Sequence, residues 1–235
     1  MTGPAAAPPP PGTLLLLIRH AEQATMQRRD APLSERGERQ ALRLAERLAA
    51  LPLTAVVSSH LKRARRTAEV VADRAALEAE VEEGLEEIHL GEEARWRRYR
   101  GMLEPDPDDY VSAALNAVRV LSRARWTGEN GEEPIDSLLA RGTAAIARVV
   151  ERHHGGVIAF VTHGGFINAI LGSWTGAERH MWFVPWHTGI SSVLLKGDEH
   201  VLLGLNDATH LSRDQDMLHI VAADVVSRRS EDPGR

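Results

Sequence analysis

The chain has 235 residues, 43% of them hydrophobic and 26% charged, with a formal net charge of −5. That balance suits one globular domain burying roughly 70% of its unfolded surface, and it excludes disorder over most of the length. With no cysteine there are no disulfides, thiolate metal sites or Cys nucleophiles, and the acidic balance argues against nucleic-acid binding through overall charge.

In chain order, residues 1–12 (MTGPAAAPPPPG) offer nothing to bury and read as a disordered tail. They lack the basic and apolar regions of a secretory signal, so a cytoplasmic location is expected. Leu14–Ile18 is a continuous apolar run, too short for a helix and far short of the ~20 residues of a membrane span. It has the form of a strand buried on both faces, and no membrane association is expected. Glu35–Leu51 carries Ala41, Leu44, Ala45 and Leu48 at helical spacing, with Ser34 placed to cap it. Ala55–Ser58 reads as a second strand and Leu61–Asp73 as a second helix. Residues 92–132 break the rhythm with charge, Trp96, Tyr99 and Trp126, and read as a helical insertion over one edge of the sheet. Val157–Val161 is a third strand, followed by a helix from about Gly165 to Leu171. Ile190–Leu195 and Val201–Leu205 flank a Gly197-Asp198 turn, a hairpin signal. Residues 221–235 form a polar C-terminal tail. Strands alternating with helices predict an α/β three-layer sandwich: a mostly parallel central sheet with helices on both faces, in one domain over residues 13–220.

Ligands of open α/β sheets bind beyond the carboxyl ends of the strands. Three predicted strands end there in groups suited to phosphate: Arg19-His20, Ser59 followed by Arg63, and Thr162-His163-Gly164-Gly165. The last runs straight into a helix start, whose outward N–H groups favour an anion. An equally good reading is that its glycines only permit a tight turn. Lys62, Arg63, Arg65 and Arg66 crowd the first turns of a helix against its dipole, a broken local rule of the kind that marks function, although solvated surface is the simpler account of each. Arg95, Arg97, Arg98 and Arg100 interleave with Trp96 and Tyr99, a composition suited to a second anionic group or a stacked ring, or to a solvated helix face. Trp174, Trp182 and Trp186 form a dense aromatic group for which core packing is the default. A pocket wall and the contact of a homodimer are the alternatives. Neither His153-His154 nor His180 with His187 has metal-like spacing, so no metal site is expected.

In this order the residues carry a resemblance. Leu-Leu-Ile-Arg19-His20-Ala21-Glu22 resembles the nucleophile motif of the histidine phosphatase superfamily, the phosphoglycerate mutase-like enzymes. Asp30 to Ala41 resembles the segment that follows it, and Ser58-Ser59-His-Leu61-Lys-Arg63-Ala64-Arg-Arg-Thr67-Ala68 the second-arginine motif. Leu85-Glu86-Glu87-Ile88-His-Leu-Gly91 is similar to the proton-donor motif, Gly131-Glu132 with Arg141 to a later helix start, and Val161-Thr-His163-Gly-Gly165 to the second-histidine motif. The resemblance spans residues 14 to about 211. It departs at Ala21, where Gly is usual, at Met26, where Asn is frequent, and at Glu93-Ala94-Arg95, where many phosphatase members have Trp-Glu-Gly. These departures bear on the substrate more than on the reaction.

The resemblance implies phosphoryl transfer through a phosphohistidine. Neutral His20 would attack phosphorus, and Arg19, Arg63 and His163 would hold the phosphoryl oxygens; Gly164 and, from the composition of the insertion, Arg98 and Trp96 are candidate substrate contacts. Glu83, Glu86 and Glu87 all lie in the donor segment, and the family pattern selects Glu87 as the catalytic acid. It further implies a small phosphorylated substrate, no cofactor and no metal. The donor segment looks more like phosphatase members than the glycolytic mutases, so hydrolysis of a phosphate monoester is favoured. A mutase, a phosphohistidine protein phosphatase and a phospho-ligand-binding protein without turnover are the alternatives.

Overall fold

A computed structural model describes residues 12–25, 28–91, 125–197 and 199–211, together with 218, 219 and 222. Its elements run β1 (Thr13–Arg19), α1 (Glu35–Leu48), β2 (Ala55–Ser58), α2 (Lys62–Ala75), β3 (Ala79–Val81), a single 3-10 turn (Glu129–Gly131), α3 (Ile135–Arg152), β4 (Val157–Thr162), α4 (Gly164–Thr175), β5 (Ile190–Lys196) and β6 (Glu199–Asp207). The strands form one six-stranded sheet in the order β3-β2-β4-β1-β5-β6. The first four positions are parallel neighbours, and β5 and β6 add an antiparallel hairpin beside β1. This is the α/β sandwich the strand–helix alternation predicts, with β3 as an addition and with α3 following the helix start that the resemblance implies.

The period-two geometry of strands explains the apolar runs. Leu15 and Leu17 of β1 join Ile158 and Phe160 of β4 in a core completed by Leu138, Ile146 and Val149 of α3 and by Phe166, Ile167 and Ile170 of α4. Leu16 and Ile18 join Ala159 and Val161 in a second core completed by Ala41, Leu44 and Leu48 of α1 and by Ala64, Ala68 and Val71 of α2. Each large side chain so buried contributes about 1.5–3 kcal/mol, and both faces of β1 and β4 collect that gain. The sheet is therefore fixed from both sides, and the carboxyl ends of β2, β4 and β1 lie side by side. His20 N–H donates to the Thr162 carbonyl at 2.9 Å, and Ser59 N–H to that of Val161 at 3.2 Å.

The start of α1 fixes the chain that leaves β1. Ser34 Oγ accepts from Gly37 N–H at 2.9 Å, the expected cap, and donates to Glu22 Oε1 at 2.7 Å. Glu22 N–H donates to the buried Gln40 Oε1 at 2.9 Å. A β-carbon on Gly37 would run into the Glu22 carbonyl oxygen, so this helix start and the loop after His20 pack backbone to backbone. Gly37→Ala is expected to destabilise the protein by about 1–3 kcal/mol, the usual cost of overpacking, and to lower activity by displacing residues 21–22. Urea denaturation checks the first outcome, and an unchanged midpoint would show that the loop yields freely.

Candidate active site

Adjacent strand ends bring His20, Ser59 and His163 to one edge, and α2 adds Arg63 to them. Arg63 is 6% exposed, although it stands in the first turn of a helix that has no acidic residue there. Its guanidinium spans the site. Nε donates to His20 Nε2 at 2.9 Å, Nη2 faces His163 Nδ1 at 3.2 Å, and Nη1 donates to the Arg29 carbonyl.

These bonds fix the state of His20. A carbonyl only accepts, so the 2.7 Å contact between His20 Nδ1 and the Ala21 carbonyl places the ring proton on Nδ1. A guanidinium only donates, so Nε2 presents its lone pair to Arg63. Burial first, then Arg63, His163, Arg19 and His187, hold the His20 imidazole well below its ordinary pKa. The ring is therefore neutral, with the Nε2 lone pair turned toward Arg63 and chemically able to serve as a nitrogen nucleophile. The Ala21 peptide is anchored in turn, since its N–H donates at 3.1 Å to Thr67 Oγ1, which itself donates to the Arg63 carbonyl at 2.7 Å.

His163 is fully buried and kept neutral by burial, then by Arg63 and Arg19. With Nδ1 turned to Arg63, its proton lies on Nε2 and is donated to Ser59 Oγ at 2.7 Å. For His163 to donate to a ligand from Nδ1, the Ser59 hydroxyl must reverse and donate to Nε2. Arg19 donates from Nη1 to the Pro185 carbonyl at 2.8 Å and lies against Gly164.

The donor segment reaches the same edge through α4. Glu87 Oε2 accepts from Gly165 N–H at 3.2 Å, and Oε1 from Phe166 N–H at 3.1 Å and Ile88 N–H at 3.0 Å. A β-carbon on Gly165 would lie 2.5 Å from Glu87 Oε1, so only glycine admits the carboxylate there. The outcome differs from the expected anion site: the Gly165 and Phe166 N–H groups of this helix start are capped by the protein's own carboxylate. Glu86 turns away, accepting from Gly84 N–H at 2.9 Å and lying 3.7 Å from Arg141. Glu83 contributes only its carbonyl, to Arg148 at 3.1 Å. Arg141 clamps the segment, donating to the Gly84 and Glu86 carbonyls at 2.8 and 3.0 Å and gripping Glu133 at 2.6 and 2.8 Å.

His187 is the site residue that sequence reasoning missed. Its ring centroid lies 5.8 Å from that of His20, and the only signal the sequence offers for it is a spacing from His180 that does not suit a metal. Other expectations resolve differently. Of the four cations opening α2, Arg63 alone enters the site. Arg66 pairs with Glu38 at 3.0 Å, Lys62 with Asp30 at 3.6 Å and Arg65 with Glu69 at 3.8 Å. Trp174 and Trp182 pack on the core as the default reading held. Arg98, Trp96, Met26 and Glu93-Ala94-Arg95 lie outside the described residues. Trp126, within the span read as an insertion, is buried in the core shared by α3 and α4. Among the described residues no cluster of three or more His, Asp or Glu could hold a metal, and no helix is long and apolar enough to cross a membrane.

The model of the histidine phosphatase superfamily (branch 1) matches residues 15–208. Phosphoglycerate mutase-like protein 4 of Arabidopsis thaliana is 30% identical over 204 residues, covering 83% of this chain and 85% of its own length. A probable phosphoglycerate mutase of Citrobacter koseri is 32% identical over 175 residues, covering 70% and 78%. Among solved structures, Bacillus stearothermophilus YhfR superposes with a TM-score of 0.67 at 26% identity, covering 85% of this chain and all of that one. A mycobacterial glucosyl-3-phosphoglycerate phosphatase in complex with inorganic phosphate superposes with a TM-score of 0.64 at 25% identity, covering 85% and 99%.

The histidines of the site make stability pH-dependent. His20, His163 and His187 all have folded pKa values below the ordinary 6.5. The unfolded chain thus binds more protons as pH falls through that value. Their contribution is complete above about pH 6.5 and is lost as pH falls toward the folded values, by at most about 1.4 kcal/mol per pH unit for each histidine. Urea midpoints are expected to fall from pH 7.5 to pH 5. His163→Gln should flatten that slope, and a slope identical to wild type would count against His163 being buried neutral.

Proposed function

The chain belongs to the histidine phosphatase superfamily, and on that premise we propose that it hydrolyses a small phosphate monoester through a phosphohistidine formed on His20. The observation that carries this reading is the His20 ring itself, with its proton held on Nδ1 by the Ala21 carbonyl and its Nε2 lone pair facing Arg63. An entering phosphoryl group takes the place of the Nε2–Arg63 hydrogen bond, and Arg63 then donates to phosphoryl oxygens. Arg19 and His163 meet the remaining oxygens, where charge concentrates in the transition state.

In the first step, which requires Glu87 in its protonated form, His20 Nε2 bonds to phosphorus as the ester P–O bond breaks, and the leaving alkoxide takes the Glu87 proton. In the second, Glu87 takes a proton from water, the water oxygen bonds to phosphorus, and the P–N bond breaks. Phosphate leaves and His20 is again neutral, its Nδ1 proton never having moved. Each charge is met by a protein group, so this sequence calls for no cofactor. Glu87 is the carboxylate of its segment that lies on the amides next to His163, and Arg141 acts as a positioning residue for it.

Hydrolysis is favoured by the form of the donor segment and by the likeness to a phosphatase solved with inorganic phosphate. The mutase reading is favoured by the names of the Arabidopsis and Citrobacter relatives. Phosphorus NMR with 3-phosphoglycerate separates them: inorganic phosphate marks a phosphatase and 2-phosphoglycerate a mutase. Rapid quench with labelled substrate should leave acid-labile, base-stable label on the protein, and label that persists in His20→Ala overturns the assignment. Glu87→Gln is expected to slow alkyl phosphates by about 10²–10⁴-fold. With p-nitrophenyl phosphate, whose leaving group needs no proton, the burst should survive. If Glu86→Gln behaves this way instead, the wrong carboxylate has been chosen.

A further inference from the structure

Residues 184–189 are held by more bonds than a connection of that length requires, and what they present is His187. Asn206, at φ +56, donates from Nδ2 to the Val184 carbonyl at 2.8 Å and accepts from Trp186 N–H at 2.7 Å. Thr188 is fully buried at φ +58, a conformation that a β-branched residue keeps only where its surroundings over-determine it. Its N–H donates to the Arg19 carbonyl at 2.9 Å. Its hydroxyl donates to the His187 carbonyl at 2.7 Å and accepts from His210 Nε2 at 2.9 Å. Strain of this kind concentrates at functional sites. Here it is held from β1 on one side and from β6 and its following turn on the other.

The result is a second imidazole against the nucleophile. His163 contacts the His20 ring at 5.1 Å and His187 at 5.8 Å, while among the described residues His163 and His187 make no ring contact with each other. His20 is thus flanked by imidazoles carried on separate elements. The charged groups that act on His187 are guanidiniums from three more elements: Arg19 of β1, Arg36 of α1 and Arg63 of α2. With burial as the larger cause, they keep it neutral. Arg36 also lies 3.8 Å from Glu22. A neutral imidazole among cations has one N–H to give, and an anion in their midst is the acceptor it suits.

We infer that His187 is a further catalytic residue, donating a ring N–H to a non-bridging phosphoryl oxygen from a different side than His163. This rests on the reading of His20 as the phosphoryl acceptor, but its binding half is tested apart from turnover. His187→Phe keeps the ring's bulk without a donor, and His187→Asn keeps a donor. Inorganic phosphate binding by calorimetry is expected to weaken by about 10- to 100-fold in His187→Phe, and kcat for p-nitrophenyl phosphate to fall on the order of 100-fold. His187→Asn should recover at least part of both. In the wild-type protein the His187 imidazole nitrogen resonances should move when phosphate is added, a readout that needs no variant to fold. Resonances that stay fixed at saturating phosphate, or a His187→Phe protein within threefold of wild type in both measurements, overturn the inference. If the resonances move and phosphate binds but no ester is hydrolysed and His20 takes no label, the phosphatase reading fails and the His187 contact stands.

Discussion

The site depends on one hydrogen bond, from His20 Nδ1 to the carbonyl of the next residue. It fixes which nitrogen carries the proton, and hence which one is free to bond. A carbonyl positions a ring only as well as its own peptide is held, and the Ala21–Glu22 peptide is held from both helices of that face. Thr67 of α2 takes the Ala21 N–H, Gln40 of α1 takes that of Glu22, and Gly37 lets the backbone of α1 close directly onto the Glu22 carbonyl. The second core, which packs α1 and α2 on the sheet, is therefore also what aims the proposed nucleophile, His20.

Electrostatics at this edge work against the protein until an anion arrives. Arg63 opposes the dipole of α2, at a cost of about 0.3–1 kcal/mol, and with Arg19 it adds to the effect of burial in pushing protons off His20, His163 and His187. Neutral imidazoles limit the repulsion, and that same neutrality is what the proposed attack by His20 requires. A dianion reverses the sign of the field and favours every donor in the cluster. Stability and affinity are thus coupled through one set of charges.

Much of this was legible in the sequence because strand ends and apolar runs have a fixed meaning. Leu14–Ile18 had to be buried on both faces, so Arg19 and His20 had to emerge at a sheet edge, and the same logic placed Ser59 and His163. The short β3 was not legible, because its Ala-Glu-Val pattern is half-exposed and gives no period. The capping of α4 by Glu87 was not legible either: glycines at a helix start signal space for an anion without saying whose carboxylate fills it. His187 escaped for another reason. Its position depends on a left-handed threonine and on Asn206, which holds the neighbouring Trp186 from twenty residues away, a long-range constraint that local pattern does not carry.

Ala21 shows how a departure from a family pattern can be read physically. Glycine at that position would leave the peptide free, whereas Ala21 is absent from the left-handed region among the described residues and buries its methyl in the core shared by α1 and α2. A buried methyl group adds about 0.8 kcal/mol, and a β-carbon removes backbone freedom from the unfolded chain. Both effects fall on the peptide whose carbonyl holds the His20 proton. Alanine at this position therefore stabilises the folded chain and leaves the carbonyl that holds His20 available. The carbonyl contact that fixes the His20 tautomer is one that either residue supplies, so the chemistry open to Nε2 is unchanged.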